Sequence, residues 1–202
     1  NVARADKEEL CREILDKCRR ETEKMAFIYS VPEELAILLT EAYGKKTTKK
    51  ILDSFERENP LTIRVQTSNA STSQVQDNLM KAGIQAISCP YVEHAFRLSG
   101  MERVEEVPGF EEGHFIIQDE SSMLPVMVSG IRPGDSVMDV CSSPGGKALH
   151  AADLLGGTGK VSARDVSEYK LQRIRENVQR LKVSNIEITL WDGRTADPEW
   201  EK

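Results

Sequence analysis

Val137-Met-Asp-Val-Cys-Ser-Ser-Pro-Gly-Gly-Lys147 is the stretch from which the fold can be read. Its apolar start reads as a buried strand, and two glycines separate that strand from the helical pattern Gly146–Leu155. Lys160–Ala163 then reads as a second strand, Ser167–Leu181 as a second helix and Glu187–Leu190 as a third strand. Strands and helices alternating at this spacing need crossover connections, and so a parallel sheet. Such sheets bind ligands outside the carboxyl ends of their strands, where the 139–147 loop lies. Gly145 and Gly146 let the backbone approach a ligand closely, and amides at the helix start can face a carboxylate or phosphate. Asp165 ends the second strand, 18 residues past Lys147, placed to accept hydrogen bonds from ribose hydroxyls. Asp192 ends the third strand and faces the same crevice, near an adenine edge. Loop, ribose acid and base contact together describe a nucleoside-cofactor site. Its candidate residues are Cys141, Ser142, Ser143, Pro144, Gly145, Gly146, Lys147, Asp165 and Asp192.

The residues leave the cofactor class open among four readings. A Walker A phosphate loop needs Gly-x4-Gly-Lys-Ser/Thr, but Cys141 replaces its first glycine and Ala148 its hydroxyl. A dinucleotide fold needs Gly-x-Gly-x-x-Gly, which the loop lacks; Gly156-Gly-Thr-Gly159 follows the helix and reads as a turn. S-adenosylmethionine (SAM) needs an open loop and a ribose acid, and nothing contradicts it. The fourth reading is a tight turn in an α/β domain that binds nothing.

Upstream, Leu61–Gln66 alternates as a strand, Ser71–Ala82 reads as a helix closed by Gly83, and short apolar runs follow at 84–87, 95–98 and 115–118. This is a small α+β unit. Before it come a helix over 6–27, a second from a Ser30 cap with Pro32 in its first turn to Gly44, and a third over Thr47–Arg57 ending before Asn59-Pro60. The expected division is a helical segment 1–57, an α+β domain 58–128 and a Rossmann-like part 129–202. Arg64 reads either as a solvated strand arginine or as a phosphate contact. His94, His114 and His150 read as ordinary surface or helix residues.

The 202 residues carry a net charge of −6. Residues 1–57 hold 12 basic and 12 acidic groups, residues 58–128 hold 4 and 10, and residues 129–202 hold 11 and 11, so all excess acid lies in the middle. A dedicated nucleic-acid-binding domain is normally basic, so composition alone argues mildly against RNA. Four cysteines (Cys11, Cys18, Cys89, Cys141) with no C-x-x-C pair argue against a disulfide framework and against zinc, and fit a reducing cytoplasm. No apolar run is long enough to span a bilayer, and no leader pattern opens the chain. A start at Asn rather than Met suggests an engineered or processed piece.

Asp139-x-Cys-x-x-Pro-Gly-Gly-Lys147 resembles motif I of the Nol/Nop/Sun RNA cytosine-C5 methyltransferases, particularly the bacterial RsmB/Sun type. Tyr29-Ser-x-Pro, Glu41-Ala-Tyr-Gly44, Pro60-x-x-Ile-Arg-Val65, Gly109-Phe-x-x-Gly113, Phe115-x-x-Gln-Asp-Glu-Ser-Ser122, Ala163-Arg-Asp165 and Asp192-Gly-Arg194 follow the family's order. Gln66 and Ala148 stand where Asn and Thr are common. The resemblance implies the first half of a Rossmann-like SAM-dependent methyltransferase sheet, preceded by an RNA-positioning α+β domain and N-terminal helices. It implies that Cys141 to Lys147 wrap the methionine part of SAM, Asp165 holds the ribose and Asp192 lies beside the adenine. It also implies an RNA substrate, with ribosomal RNA favoured by the branch it resembles. In the family one cysteine thiolate adds to C6 of a flipped-out cytosine and a second assists release. Those cysteines lie in Pro-Cys and Thr-Cys motifs beyond the third strand, so no catalytic residue is expected in this chain and it is expected to be inactive alone. The rival expectation is a non-catalytic binding or assembly module. An unpaired sheet edge would favour self-association.

Overall fold

The computed structural model describes residues 7–57, 60–198 and 200. The chain forms two compact units, Asn1–Asn59 and Pro60–Lys202. The first contains α1 (Lys7–Lys17), α2 (Glu21–Ile28) and α3 (Glu33–Phe55). The one helix expected over 6–27 is therefore two, with residue 6 outside the described residues. The chain leaves helical geometry at 18–20, where the Glu23 carboxylate accepts from the Arg19 and Arg20 amides at 2.7 and 3.1 Å and so holds the start of α2. Ser30 is not the expected cap. It sits at φ 52, and Pro32 precedes the first turn of α3 without a side-chain cap. Gly44 does interrupt the helix: at φ 74 and ψ 156 it kinks α3 between its two halves. The expected stop at Asn59 lies outside the described residues. Met25, Ala36 and Leu52 form this unit's core.

The second unit begins with β1 (Leu61–Val65), α4 (Thr72–Lys81), β2 (Gln85–Ser88), β3 (Ala95–Ser99) and β4 (Phe115–Ile117). These strands form an antiparallel sheet in the order β2-β3-β1-β4, so β1 is central. Ser71 caps α4 by accepting from the Gln74 amide at 3.2 Å. There follow α5 (Glu120–Val128), β5 (Ser136–Asp139), α6 (Gly146–Leu154), β6 (Lys160–Asp165), α7 (Glu168–Arg180) and β7 (Ile186–Leu190). The last three strands form the expected parallel sheet, ordered β5-β6-β7, with Val137 opposite Val161 and Ala163 opposite Ile188. Its core comes from α6, α7 and β6, including Ala152, Leu171, Ile174, Val161 and Ala163. Helix α5 is absent from the sequence reading because Pro125 stands inside it, which removes one helical donor and reads as a breaker.

β1 explains how the two sheets come together. Successive strand residues face opposite sides, so Ile63 and Val65 point toward α4 and the Phe96–Phe115 core. Thr62, Arg64 and Gln66 take the other face, and all three are buried. Arg64 is 1% exposed, which overturns both sequence readings of it. Its Nη1 donates to Asp153 Oδ2 at 3.2 Å and its Nε to Gln118 Oε1 at 3.0 Å. Asp153 sits in the last turn of α6, where a carboxylate is disfavoured by the helix dipole. Arg64 offsets that, and the Thr67 and Ser68 amides and Gln66 Nε2 also donate to Asp153, at 2.9, 2.9 and 3.1 Å. Burial pulls the Arg64 guanidinium down to about 10 against the opposing pull of Asp153, so it stays cationic. His150, one turn earlier, is the helix residue of the two expected settings, but it is buried and its Nδ1 has no partner. Burial first, and then the Arg64 charge, push His150 down to about 3.

Two outcomes follow. Asp153→Ala leaves a buried guanidinium unpaired and is expected to cost about 3–5 kcal/mol of unfolding free energy, read from urea denaturation. His150 is neutral when folded but takes a proton near its ordinary 6.5 when unfolded. Stability is therefore full above about pH 6.5 and falls as the pH drops toward the folded value, and in His150→Gln this slope should flatten.

Candidate functional site

The carboxyl ends of β5, β6 and β7 converge on one region of the second unit. Between β5 and α6 the backbone doubles back on itself. The Cys141 amide donates to Asp139 Oδ1 at 3.2 Å, the Ser142 amide to the Arg164 carbonyl at 2.9 Å, and the Gly145 amide to the Ser142 carbonyl at 2.6 Å. Gly145 reverses the chain at φ 103, and a Cβ there would meet Ile174 and Leu149 at 3.3 Å. Gly146, at ordinary φ, opens α6 against Gln118, whose Cδ would lie 3.5 Å from an added Cβ.

Asp165 is 2% exposed and clamps this loop. Its Oδ2 accepts from the Ser143 amide at 3.3 Å and its Oδ1 from the Val166 amide at 2.9 Å, with Lys170 Nζ at 3.6 Å. The Ser143 hydroxyl donates to the Lys170 carbonyl at 3.2 Å, and Asn177 Nδ2 donates to the Pro144 carbonyl at 3.1 Å. An ionised carboxylate has about four lone-pair positions, so these amides leave acceptor capacity on Asp165. Asp192 sits at the end of β7. Arg194 donates to it in a fork, Nε to Oδ1 at 3.0 Å and Nη2 to Oδ2 at 2.6 Å, and holds its carboxyl below the usual range. Beside Asp192 lies a cleft of ≈ 670 Å³ walled by Val140, Val166, Leu190 and Trp191.

The structure thus brings the loop, Asp165 and the Asp192 strand end to one side of the parallel sheet. Cys141 and Lys147 are exposed, and Ser142 is buried with a hydroxyl that has no partner. That orphaned hydroxyl, the glycine turn and an apolar cleft with an acid at its edge suit a nucleoside-bearing ligand. The sequence reading missed the cleft's walls. Val166 and Trp191 are next to the two acids that end β6 and β7, and their large apolar side chains at strand ends were the available signal. It also missed Gln118, which accepts from Arg64 and faces Gly146 at the start of α6. Among the described residues no group of three or more His, Cys, Asp or Glu could hold a metal, and no helix is long and apolar enough to cross a membrane.

Residues 126–202 match the family described as 16S rRNA methyltransferase RsmB/F, and residues 31–105 match the RsmF/B-like ferredoxin-like domain. The chain is 29% identical over 171 residues to a "Probable ribosomal RNA small subunit methyltransferase B" of Synechocystis, covering 84% of this chain and 38% of that protein. It is 34% identical over 154 residues to the ribosomal RNA small subunit methyltransferase B of Yersinia enterocolitica, covering 75% of this chain and 35% of that one. The chain therefore spans 38% and 35% of the length of these curated relatives. A methyltransferase homolog protein from Pyrococcus horikoshii superposes with a TM-score of 0.73 at 27% identity, covering 89% of this chain and 56% of that one. The Rossmann-like fold of SAM-dependent methyltransferases, which the family resemblance implied, is the fold of the β5–β6–β7 part of this chain.

The two glycines of the loop should respond differently to a methyl group. Gly145→Ala forces a side chain into the left-handed region against Ile174 and Leu149, and a loss of about 1–2 kcal/mol is expected in thermal or urea unfolding. Gly146→Ala meets only ordinary contact distance and should stay within about 0.5 kcal/mol of the unmodified chain.

Proposed function

Because this chain belongs to the RsmB/Sun type of the Nol/Nop/Sun family, we propose that it is the cofactor-binding part of a SAM-dependent RNA cytosine-C5 methyltransferase acting on ribosomal RNA. The observation that carries this is the glycine loop pinned by Asp165 beside the apolar cleft at Asp192. SAM, when bound, supplies a methyl group activated on a sulfonium. The chain's own residues would bind and orient it. Gly145 and Gly146 leave the backbone of the loop approachable, and the Ser142 hydroxyl offers an unused donor. Asp165 both fixes the loop and keeps acceptor capacity for ribose hydroxyls. Val140, Val166 and Trp191 would give a base an apolar wall, with Asp192 held ionised by Arg194 at its edge. The small α+β part, residues 58–128, would position RNA, and the cytoplasm is the compartment that fits.

None of the four cysteines suits the nucleophile's role. Burial and then the Glu120 charge push the Cys89 thiol up, which disfavours the thiolate. Cys11 and Cys18 belong to the first unit's helical segment, and Cys141 is part of the loop that would hold the cofactor.

Calorimetric titration with S-adenosylhomocysteine tests the reading. Binding is expected, weakened about tenfold or more in Asp165→Ala, the scale of a charge-assisted hydrogen bond. Binding of NAD with none of S-adenosylhomocysteine would contradict it. The 202-residue polypeptide is also expected to transfer no labelled methyl to ribosomal RNA, and transfer by it would show that a cysteine present here is the nucleophile.

A further inference from the structure

The first unit holds a feature that the cofactor site does not use. Lys45-Lys-Thr-Thr-Lys-Lys50 places four cations in six residues with no acid among them, and no other six-residue window of the chain does so. On the half of α3 that follows Gly44, Thr48 and Leu52 turn inward and are fully buried. The four lysines flank them at positions i, i+1, i+4 and i+5, and all are exposed. Lys24 of α2 joins them around a groove of ≈ 610 Å³ with Met25 and Ile28 among its lining. Like charges four apart on a helix repel, so 45/49 and 46/50 each oppose helix formation by a few tenths of a kcal/mol. Little inside the unit relieves this. Lys45 pairs with Glu21 at 3.0 Å, while among the described residues no carboxylate pairs with Lys46, Lys49 or Lys50. The groove's other acid, Asp53, accepts the Tyr29 hydroxyl, which keeps that phenol neutral.

We propose that this lysine-lined groove between α2 and α3 binds the phosphate backbone of single-stranded RNA. The inference rests on the reading under Proposed function for the choice of RNA among polyanions. Residues 58–128 are strongly acidic, while residues 1–57 and 129–202 each sum to zero, so the attraction for phosphate is local to this lysine run rather than a property of a whole segment. Four lysines on one helical face meet a run of phosphates as point charges that need no fixed geometry, and each contact releases counterions. The groove contributes affinity and no base reading, because lysine to phosphate carries no sequence information.

The test uses the full chain and a fluorescein-labelled single-stranded RNA of about 20 nucleotides, followed by anisotropy across a salt series. Replacing all four residues 45, 46, 49 and 50, each Lys→Gln, is expected to weaken binding at low salt at least tenfold. It should also reduce the slope of log affinity against log salt by up to about 3, at roughly 0.7 per phosphate contact. Glu21→Gln releases Lys45 and should tighten binding two- to threefold, which keeps the proposal testable if the quadruple variant folds poorly. S-adenosylhomocysteine titration of the same variants should be unchanged. RNA affinity and salt slope unaltered in both variants overturn the groove and leave the cofactor reading standing. Binding to poly-L-glutamate but not to RNA overturns it in favour of an acidic protein partner. If the unmodified chain binds neither RNA nor S-adenosylhomocysteine, both readings fall.

Discussion

Arg64 and Asp153 are a buried ion pair on which the arrangement of the second unit depends. The arginine stands on the central strand of the antiparallel sheet, and the aspartate on the helix that follows the glycine loop of the parallel one. Two charges removed from water are costly, so the pair persists only because nearly every remaining donor and acceptor around it is used. Thr67, Ser68 and Gln66 complete the shell of Asp153, and Gln118 completes that of Arg64. Gln118 also faces Gly146, where an added Cβ would lie 3.5 Å from its Cδ. This network therefore anchors the last turn of helix α6 through Asp153, and its Gln118 faces the helix's first residue. The same guanidinium is the common member.

That constraint bears directly on the site. A loop of glycines and serines between a strand and a helix has many conformations open to it, and ordering it costs entropy. Here the helix end is closed by the Leu149 amide on the Gly145 carbonyl, the strand end by the β5–β6 ladder, and the middle is held by Asp165 and Asn177. The loop is therefore preorganised by groups that stand in or behind it. Preorganisation of this kind reduces what a ligand must contribute on binding.

Much of this was legible in the sequence, for physical reasons that can be named. The parallel sheet and its loop followed from apolar runs, glycines and strand-end acids, because periodicity and backbone freedom are local properties. The helix break at Gly44 was legible for the same reason. The polar face of β1 was not. Thr62, Arg64 and Gln66 at period two look like a solvated face, and only the tertiary fold shows that α6 covers them with a carboxylate. His150 lies in a helix, one of the two expected settings, but its burial was illegible for the same cause, since one histidine in a helix says nothing of what packs over it. Pro125 hid α5 because a local rule was overridden by packing: Met123 and Val126 of that helix are buried. Within the site, the acids and glycines were readable from their chemistry, whereas the apolar walls at Val166 and Trp191 needed the three strand ends brought together.

Hydrogen exchange of the loop amides in Arg64→Lys tests most directly whether this network orders the site. Lysine keeps the charge opposite Asp153 but lacks the planar fork that reaches Gln118 at the same time. The account predicts that Ser142, Ser143 and Gly145 lose protection under native conditions while the β1–β3 ladder keeps its own. Loop protection equal to that of the unmodified chain, with any change confined to residues 64–68 and 150–154, would contradict it.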